Sequence, residues 1–173
     1  IWIGPQAEVM EGCLVRGPLA LGQGAQLKMG AKIYGPSSFG PYCRVGGEVN
    51  NSVILGYSNK GHDGFLGHSV LGEWCNLGAD TNTSNLKNTY GQVQAWSHAA
   101  HALVPTGQQF LGLVMGDHAK SGINTMFNTG TVAGVCANVF GSGFAAKHIP
   151  SFSWGESEVY ALDKAFSTCA RVM

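Results

Sequence analysis

Ile3-Gly4-Pro5-Gln6-Ala7-Glu8-Val9 opens a pattern that runs to Val45: positions 3, 9, 15, 21, 27, 33, 39 and 45 read Ile, Val, Val, Leu, Leu, Ile, Phe and Val. Apolar residues at a fixed interval of six mark an internal repeat, and a repeat takes precedence over local propensity. Four residues after each stand Ala7, Cys13, Leu19, Ala25, Ala31, Ser37, Cys43 and Val49, mostly small, with glycine recurring between them as in Leu21-Gly22-Gln23-Gly24. Each six-residue unit reads as a short strand and a turn. Three strands close one coil of about 18 residues, and coils stacked at ~4.8 Å turn the large apolar residue inward and fit the small one into the corner. Each inward Val, Leu or Ile stabilises the stack by roughly 1.5–3 kcal/mol. The expected fold is all-β, a parallel β-helix of hexapeptide repeats.

The phase breaks near Asn51, recovers at Phe65, Leu71 and Leu77, is lost over about 82–108, and resumes at Met115, Ser121, Phe127, Ala133 and Val139. A stretch that leaves a repeat and returns to its register is an insertion, the usual way a repeat protein carries an arm. A mobile surface loop is the alternative. This one holds Trp96 and His98-Ala99-Ala100-His101. After Val139 the pattern degrades into Gly- and Phe-rich coil. Ser157-Glu158 then opens a segment with Val159, Leu162, Ala165, Phe166 and Cys169 on one face, read as a C-terminal helix. The expected organisation is a β-helix over 1–150 and a tail with its helix over 151–173.

Composition fits one turn-rich domain: 26 glycines in 173 residues, 45% apolar and 12% charged. Ten basic and ten acidic residues leave no net charge. No global field then recruits nucleic acid or an anionic membrane, and an anionic ligand needs locally placed cations. No apolar run is long enough to span a bilayer. The five cysteines are odd in number and lack any CxxC pair, so they are read as reduced and the protein as cytoplasmic. Cys13, Cys43 and Cys75 fall at the small inward position, as packing residues in place of Ala. Ile1-Trp2-Ile3 is neither an initiator Met nor a signal peptide, which suggests a part of something longer.

Gly61-His62-Asp63-Gly64-Phe65-Leu66-Gly67, followed by Asn76-Leu77-Gly78-Ala79-Asp80-Thr81-Asn82-Thr83-Ser84-Asn85, resembles the acetyltransferase domain of the bifunctional glucosamine-1-phosphate N-acetyltransferase / N-acetylglucosamine-1-phosphate uridylyltransferase family. It looks most like the divergent branch of Bacteroidetes-type bacteria. The likeness spans residues 1–145 as repeat architecture and 48–85 as a specific motif. It implies a left-handed helix, although the general crossover rule favours the right hand. It also implies a homotrimer, with acetyl-CoA and an amino sugar phosphate meeting at subunit boundaries, and a nucleotidyltransferase domain before residue 1. By the same resemblance His62 is the catalytic base, Glu48 the carboxylate that orients it, and Asn76 and Asn85 are sugar-site residues. Lys32 stands where the family uses Arg for the sugar phosphate, keeping the charge without the bidentate fork. Asn50 replaces a family lysine and Phe65 a tyrosine, removing polar contacts to the sugar phosphate.

The chemistry of these residue types is consistent with that role. Acetyl transfer to an amine needs a base for the ammonium proton and donors for the developing oxyanion. Histidine, with a free pKa near 6.5, is neutral at physiological pH, and a neighbouring carboxylate steadies the imidazolium that forms. Asp63 is the second candidate for that carboxylate. Backbone amides around Gly78-Ala79 and Ser121-Gly122 are candidate donors to the thioester and pantetheine arm, because glycine permits close approach; serving the turn alone is the equal alternative. Ala79, Ser121 and Gly122 are therefore the candidate acetyl-CoA residues. Lys120, Lys147 and Arg171 are read as solvated charges rather than contacts to the CoA phosphates.

Two other functions compete with this one. The β-helix could be a non-catalytic oligomerisation or regulatory module of a sugar nucleotidyltransferase, which Asn50 and Phe65 favour and His62, Asn76 and Asn85 oppose. A hexad carbonic anhydrase would need histidines on zinc, drawn from His98, His101, His118 and His148. No carboxylate or cysteine completes a recognisable set with them, so no metal site is expected.

Overall fold

A computed structural model describes residues 1–173. It is a left-handed parallel β-helix whose strands line three faces. The first face stacks strands containing Ile3, Leu21, Phe39, Ile54, Leu71, Met115, Ala133 and Ile149, and the second those containing Val9, Leu27, Val45, Lys60, Leu77, Ser121 and Val139. The third stacks Val15, Ile33, Val49 and Leu66, and continues through Thr83 and Phe127. Strand lengths of two or three residues leave the corners to glycine and to residues with positive φ, such as Tyr42, Tyr57, Trp74 and His118. Those four rings stack one above the next along one corner, closest between Tyr57 and Trp74 at 4.3 Å.

From Leu21 onward the repeat positions are buried as the pattern predicts, with Leu21, Leu27, Ile33, Phe39 and Val45 in one core. Ile3 and Val9 carry the pattern but are exposed, because no coil lies beneath them. Cys43 and Cys75 fill the small corner position. Burial pushes their thiols up, to about 11 and about 12.

The break in phase has a definite cause. Strand Arg44–Val45 is joined to strand Glu48–Asn50 by Gly46-Gly47 alone, so Val49, not Asn51, is the next inward residue. The inward series then runs Ile54, Lys60, Leu66, Leu71 and Leu77. Leu66 therefore holds the core position expected of Phe65, whose side chain lies on the outer surface beside Glu48 and Asn82.

The insertion also differs from expectation. Asn82–Thr83 is still a strand of the helix, paired with Met126–Phe127, and Leu113 is back in the core. The excursion thus lies between them, displaced toward the C-terminus from 82–108. It contains an antiparallel hairpin, Gln94–Ser97 with Ala102–Pro105, and His98-Ala99-Ala100-His101 is its turn rather than a helix. Trp96 lies flat on His148 at 3.9 Å, and Lys147 Nζ donates to the Gln94 carbonyl, which folds the arm against the later coils.

Coil geometry persists past Val139, through His148–Ile149 and Ser153–Trp154. Glu158–Val159 is a strand antiparallel to Ser153–Trp154, and the helix α1 covers only Leu162–Val172. Only part of the predicted face docks: Ala165 is buried, Phe166 meets Phe152 edge-on while staying largely exposed, and Cys169 Sγ lies 3.6 Å from Cys136 Sγ, whereas Val159 and Leu162 are exposed. No helix is long and apolar enough to cross a membrane.

Candidate active site

His62 sits in the irregular corner between strands Asn59–Lys60 and Phe65–Gly67, and its side chain is exposed. Backbone packing fixes that corner. A Cβ on Gly46 would meet the Gly61 carbonyl oxygen at 2.5 Å, and one on Gly47 would meet the His62 carbonyl oxygen at 2.8 Å. The corner above is equally close, because a Cβ on Gly64, at φ +113°, would strike the Thr81 carbonyl. The His62 loop is thus clamped between Gly46-Gly47 below and Thr81 above. Asp80 N–H donates to the Asp63 carbonyl at 3.1 Å.

Beside this loop the third face carries a groove of about 360 Å³, lined by Lys32, Glu48, Asp63, Phe65, Asp80 and Asn82 together with Gly30, Gly47 and Gly64. Lys32, Glu48 and Phe65 stand in one cross-strand row. Asn82 is held by its neighbours, accepting the Phe65 N–H at 2.9 Å and donating to the Asp80 carbonyl at 3.0 Å. Cross-strand neighbours on one face are a few ångströms apart, so the cation of Lys32 and the carboxylate of Glu48 share this groove.

Glu48 does not receive a hydrogen bond from His62. Its Oε1 accepts the Tyr34 hydroxyl at 2.6 Å, and the Glu48 carboxylate, with some burial, raises the Tyr34 pKa. Tyr34 lies two residues from Lys32 on the same strand and points the same way, an alternation that the sequence carries but that no motif marked. A second residue passed over is His68, at the opposite end of strand Phe65–Gly67. Its Nδ1 lies 2.8 Å from Asn85 Nδ2, its Nε2 lies 3.3 Å from Asn51 Nδ2, and its ring stacks on Phe110. Burial lowers its pKa, because desolvation disfavours the charged ring.

The expected sugar-site residues are therefore split among faces. Lys32 and Glu48 line the groove together with Asp63, and His62 precedes Asp63 on the loop without lining the groove itself. Asn85 is with His68 at the far corner of the third face, and Asn76 is exposed on the second face, in a row with Asn59 and Lys120. One chain does not bring Asn76 and Asn85 to His62.

The candidate acetyl-CoA residues lie on the second face and at its turns. Ser121 points inward and its hydroxyl shares a hydrogen bond with Thr81 Oγ1 at 2.9 Å, so its side chain is closed to an external ligand. The amides of Gly78 and Gly122 donate to the carbonyls of Ser121 and Val139, leaving neither for an oxyanion. Gly78 is required for stacking: a Cβ there would come within 2.5 Å of Gly122 backbone. Ala79, half-buried at the next turn, lends its carbonyl to Asn124 N–H. The histidines also disperse. His98 meets His148 edge-on at 5.9 Å, His118 stacks in the aromatic ladder, and no cluster of metal-ligating side chains forms.

Coils of two- and three-residue strands around a left-handed prism define the class: a hexapeptide-repeat β-helix. Among solved structures the chain is similar to a mutant of the N-acyltransferase AntD from Bacillus cereus in complex with dTDP and coenzyme A. That match has a TM-score of 0.56 at 10% identity and covers 99% of this chain and 90% of that one. In sequence it is similar to a bifunctional sugar-1-phosphate nucleotidylyltransferase/acetyltransferase of Sulfurisphaera tokodaii, 29% identical over 146 residues, 73% of this chain and 36% of the relative. It is likewise similar to the bifunctional protein GlmU of Methanocaldococcus jannaschii, 32% identical over 87 residues, half of this chain and 21% of that protein. No protein-family model matches the chain. The resemblance drawn from the His-to-Asn segment is therefore borne out by relatives bearing the expected names, and the chain spans about a third or less of their length.

Proposed function

We propose that this chain is an acyltransferase that moves the acetyl group of acetyl-CoA to the amine of an amino sugar phosphate, foremost glucosamine 1-phosphate, in the synthesis of UDP-N-acetylglucosamine. The observation that carries the reading is the exposed imidazole of His62 on a clamped loop whose next residue, Asp63, lines a groove holding Lys32 and Glu48. The names of the relatives support it.

In this reading the acceptor amine attacks the thioester carbonyl while His62 removes the ammonium proton. The tetrahedral intermediate collapses with loss of the CoA thiolate, which recovers a proton from the imidazolium. A positioned base of this kind contributes 10²–10⁴-fold. Lys32 meets the sugar phosphate, and the Glu48 carboxylate, held by Tyr34, stabilises the imidazolium through space. Asn76 and Asn85 reach the substrate only from neighbouring copies, so the site is completed in a homotrimer. Ala79 is the remaining candidate on this chain for the thioester end of acetyl-CoA.

The test is acetyl-CoA consumption with a panel of amino sugars and their 1-phosphates, with sedimentation equilibrium on the same preparation. The expected result is a trimer that turns over glucosamine 1-phosphate, and a His62→Ala variant that stays folded and trimeric but is 10²–10⁴-fold slower. A monomer, an inactive protein or an unimpaired His62→Ala would favour the non-catalytic scaffold, to which Asn50 and Phe65 lend weight.

A further inference from the structure

Lys60 occupies an interior position of the prism, between Val45 and Leu77 in the second face's inward column, and is the only charged residue among the buried ones. An ammonium in an apolar core is costly unless its protons are placed. Here they are placed: Nζ donates to the Gly46 carbonyl at 3.1 Å and to the His62 carbonyl at 2.5 Å. No backbone N–H donates to either carbonyl. These two oxygens belong to the two corners where the coil is shortened and where the His62 loop folds over it. Elsewhere a six-residue unit closes its own turn, as Ala31 N–H does on the Lys28 carbonyl; the two-residue Gly46-Gly47 turn has no such donor.

We propose that Lys60 is a positioning residue for His62: from inside the prism its ammonium ties the His62 backbone to the Gly46 turn and so fixes where the imidazole stands. This inference rests on the reading of His62 as the base. Lys60 itself is closed off from substrate by burial, so it acts only through His62. Its charge faces Asp63 and Asp80 across the loop, both of which favour the ammonium form. Placement matters chemically because a base displaced by about an ångström loses much of its advantage in the transition state while substrate binding is spared.

The experiment is a double-mutant cycle on the intact protein, using His62→Ala, Lys60→Met and the pair, with kcat and KM measured for both substrates. Lys60→Met keeps the length of the side chain and removes the donors. We expect kcat to fall 10–100-fold with KM changed less than twofold, and we expect Lys60→Met to have no further effect once His62 is Ala. Lys60→Gln, which retains a two-proton donor, is expected to recover part of the loss, and it replaces Lys60→Met in the cycle if that variant does not fold. Equal losses from Lys60→Met with and without His62, a change confined to KM, or unaltered kinetics in the Lys60 variant overturn the inference while leaving the function intact. An inactive unmutated protein, or an unimpaired His62→Ala, instead overturns the proposed function.

Discussion

The buried ammonium makes a prediction about stability that is independent of turnover. Burial lowers the Lys60 pKa from 10.5 to about 8, against the pull of Asp63 and Asp80. A lysine whose folded pKa lies below its unfolded value binds protons more readily in the unfolded chain, so it costs stability below the folded pKa. That cost lifts as pH rises toward the unfolded value. With the two values above, the linkage relation gives a cost of about 3.3 kcal/mol at pH 7 and about 0.8 kcal/mol at pH 10, so about 2.5 kcal/mol is recovered between them. The raw curve will not show this alone. The buried thiols Cys43, Cys75 and Cys136 have folded values raised to about 11, 12 and 11, so they stabilise below pH 9 and lose that contribution as pH rises further. Subtraction removes them. Urea unfolding of the unmutated chain and Lys60→Met at pH 7 and pH 10, at one temperature and ionic strength, should give stability differences that shift by about 2.5 kcal/mol in favour of the unmutated chain at high pH. The absolute offset is separate, since Lys60→Met also leaves the Gly46 and His62 carbonyls without donors, at about 1–3 kcal/mol each. Parallel pH profiles for the two proteins would refute a buried, proton-bearing Lys60.

Gly64→Ala should destabilise by well over the about 1–3 kcal/mol of its positive φ alone, lowering Tm by about 5 °C or more, because the new Cβ strikes the Thr81 carbonyl. Gly107→Ala, at φ +71° with open space around it, should pay only the backbone term; equal melting shifts in the two would contradict the clamp. Alkylation of the folded protein should leave the proposed activity intact, since Cys43 and Cys75 are buried with raised pKa values and no thiol lines the groove; loss of turnover with the oligomeric state unchanged would assign a thiol to the site.

Period six was enough to identify the core from Leu21 to Val45, because a large apolar residue at every sixth position has no competing explanation. It failed where a turn lost two residues. Counting by six from Val45 puts Asn51, Tyr57 and Asp63 inside, whereas Gly46-Gly47 closes its corner with two residues and puts Val49, Ile54 and Lys60 there. No propensity rule selects Lys60 for a core position, since a lysine in a Gly- and Asn-rich stretch is by default a solvated one. His62, Glu48 and Lys32 were singled out through the family resemblance; composition alone singles out none of them. Tyr34 and His68 were missed because their roles depend on which residue of the next coil stands beside them, and that register is set by the shortened turns. The two gaps have one origin. The deleted residues remove the donors that would have closed the Gly46 turn, bring the 61–64 loop down onto Gly46-Gly47, and leave carbonyls at both corners facing the interior. A lysine in the inward column can answer both carbonyls at once, so the irregularity that hides the core from a hexad count also fixes the loop that carries His62.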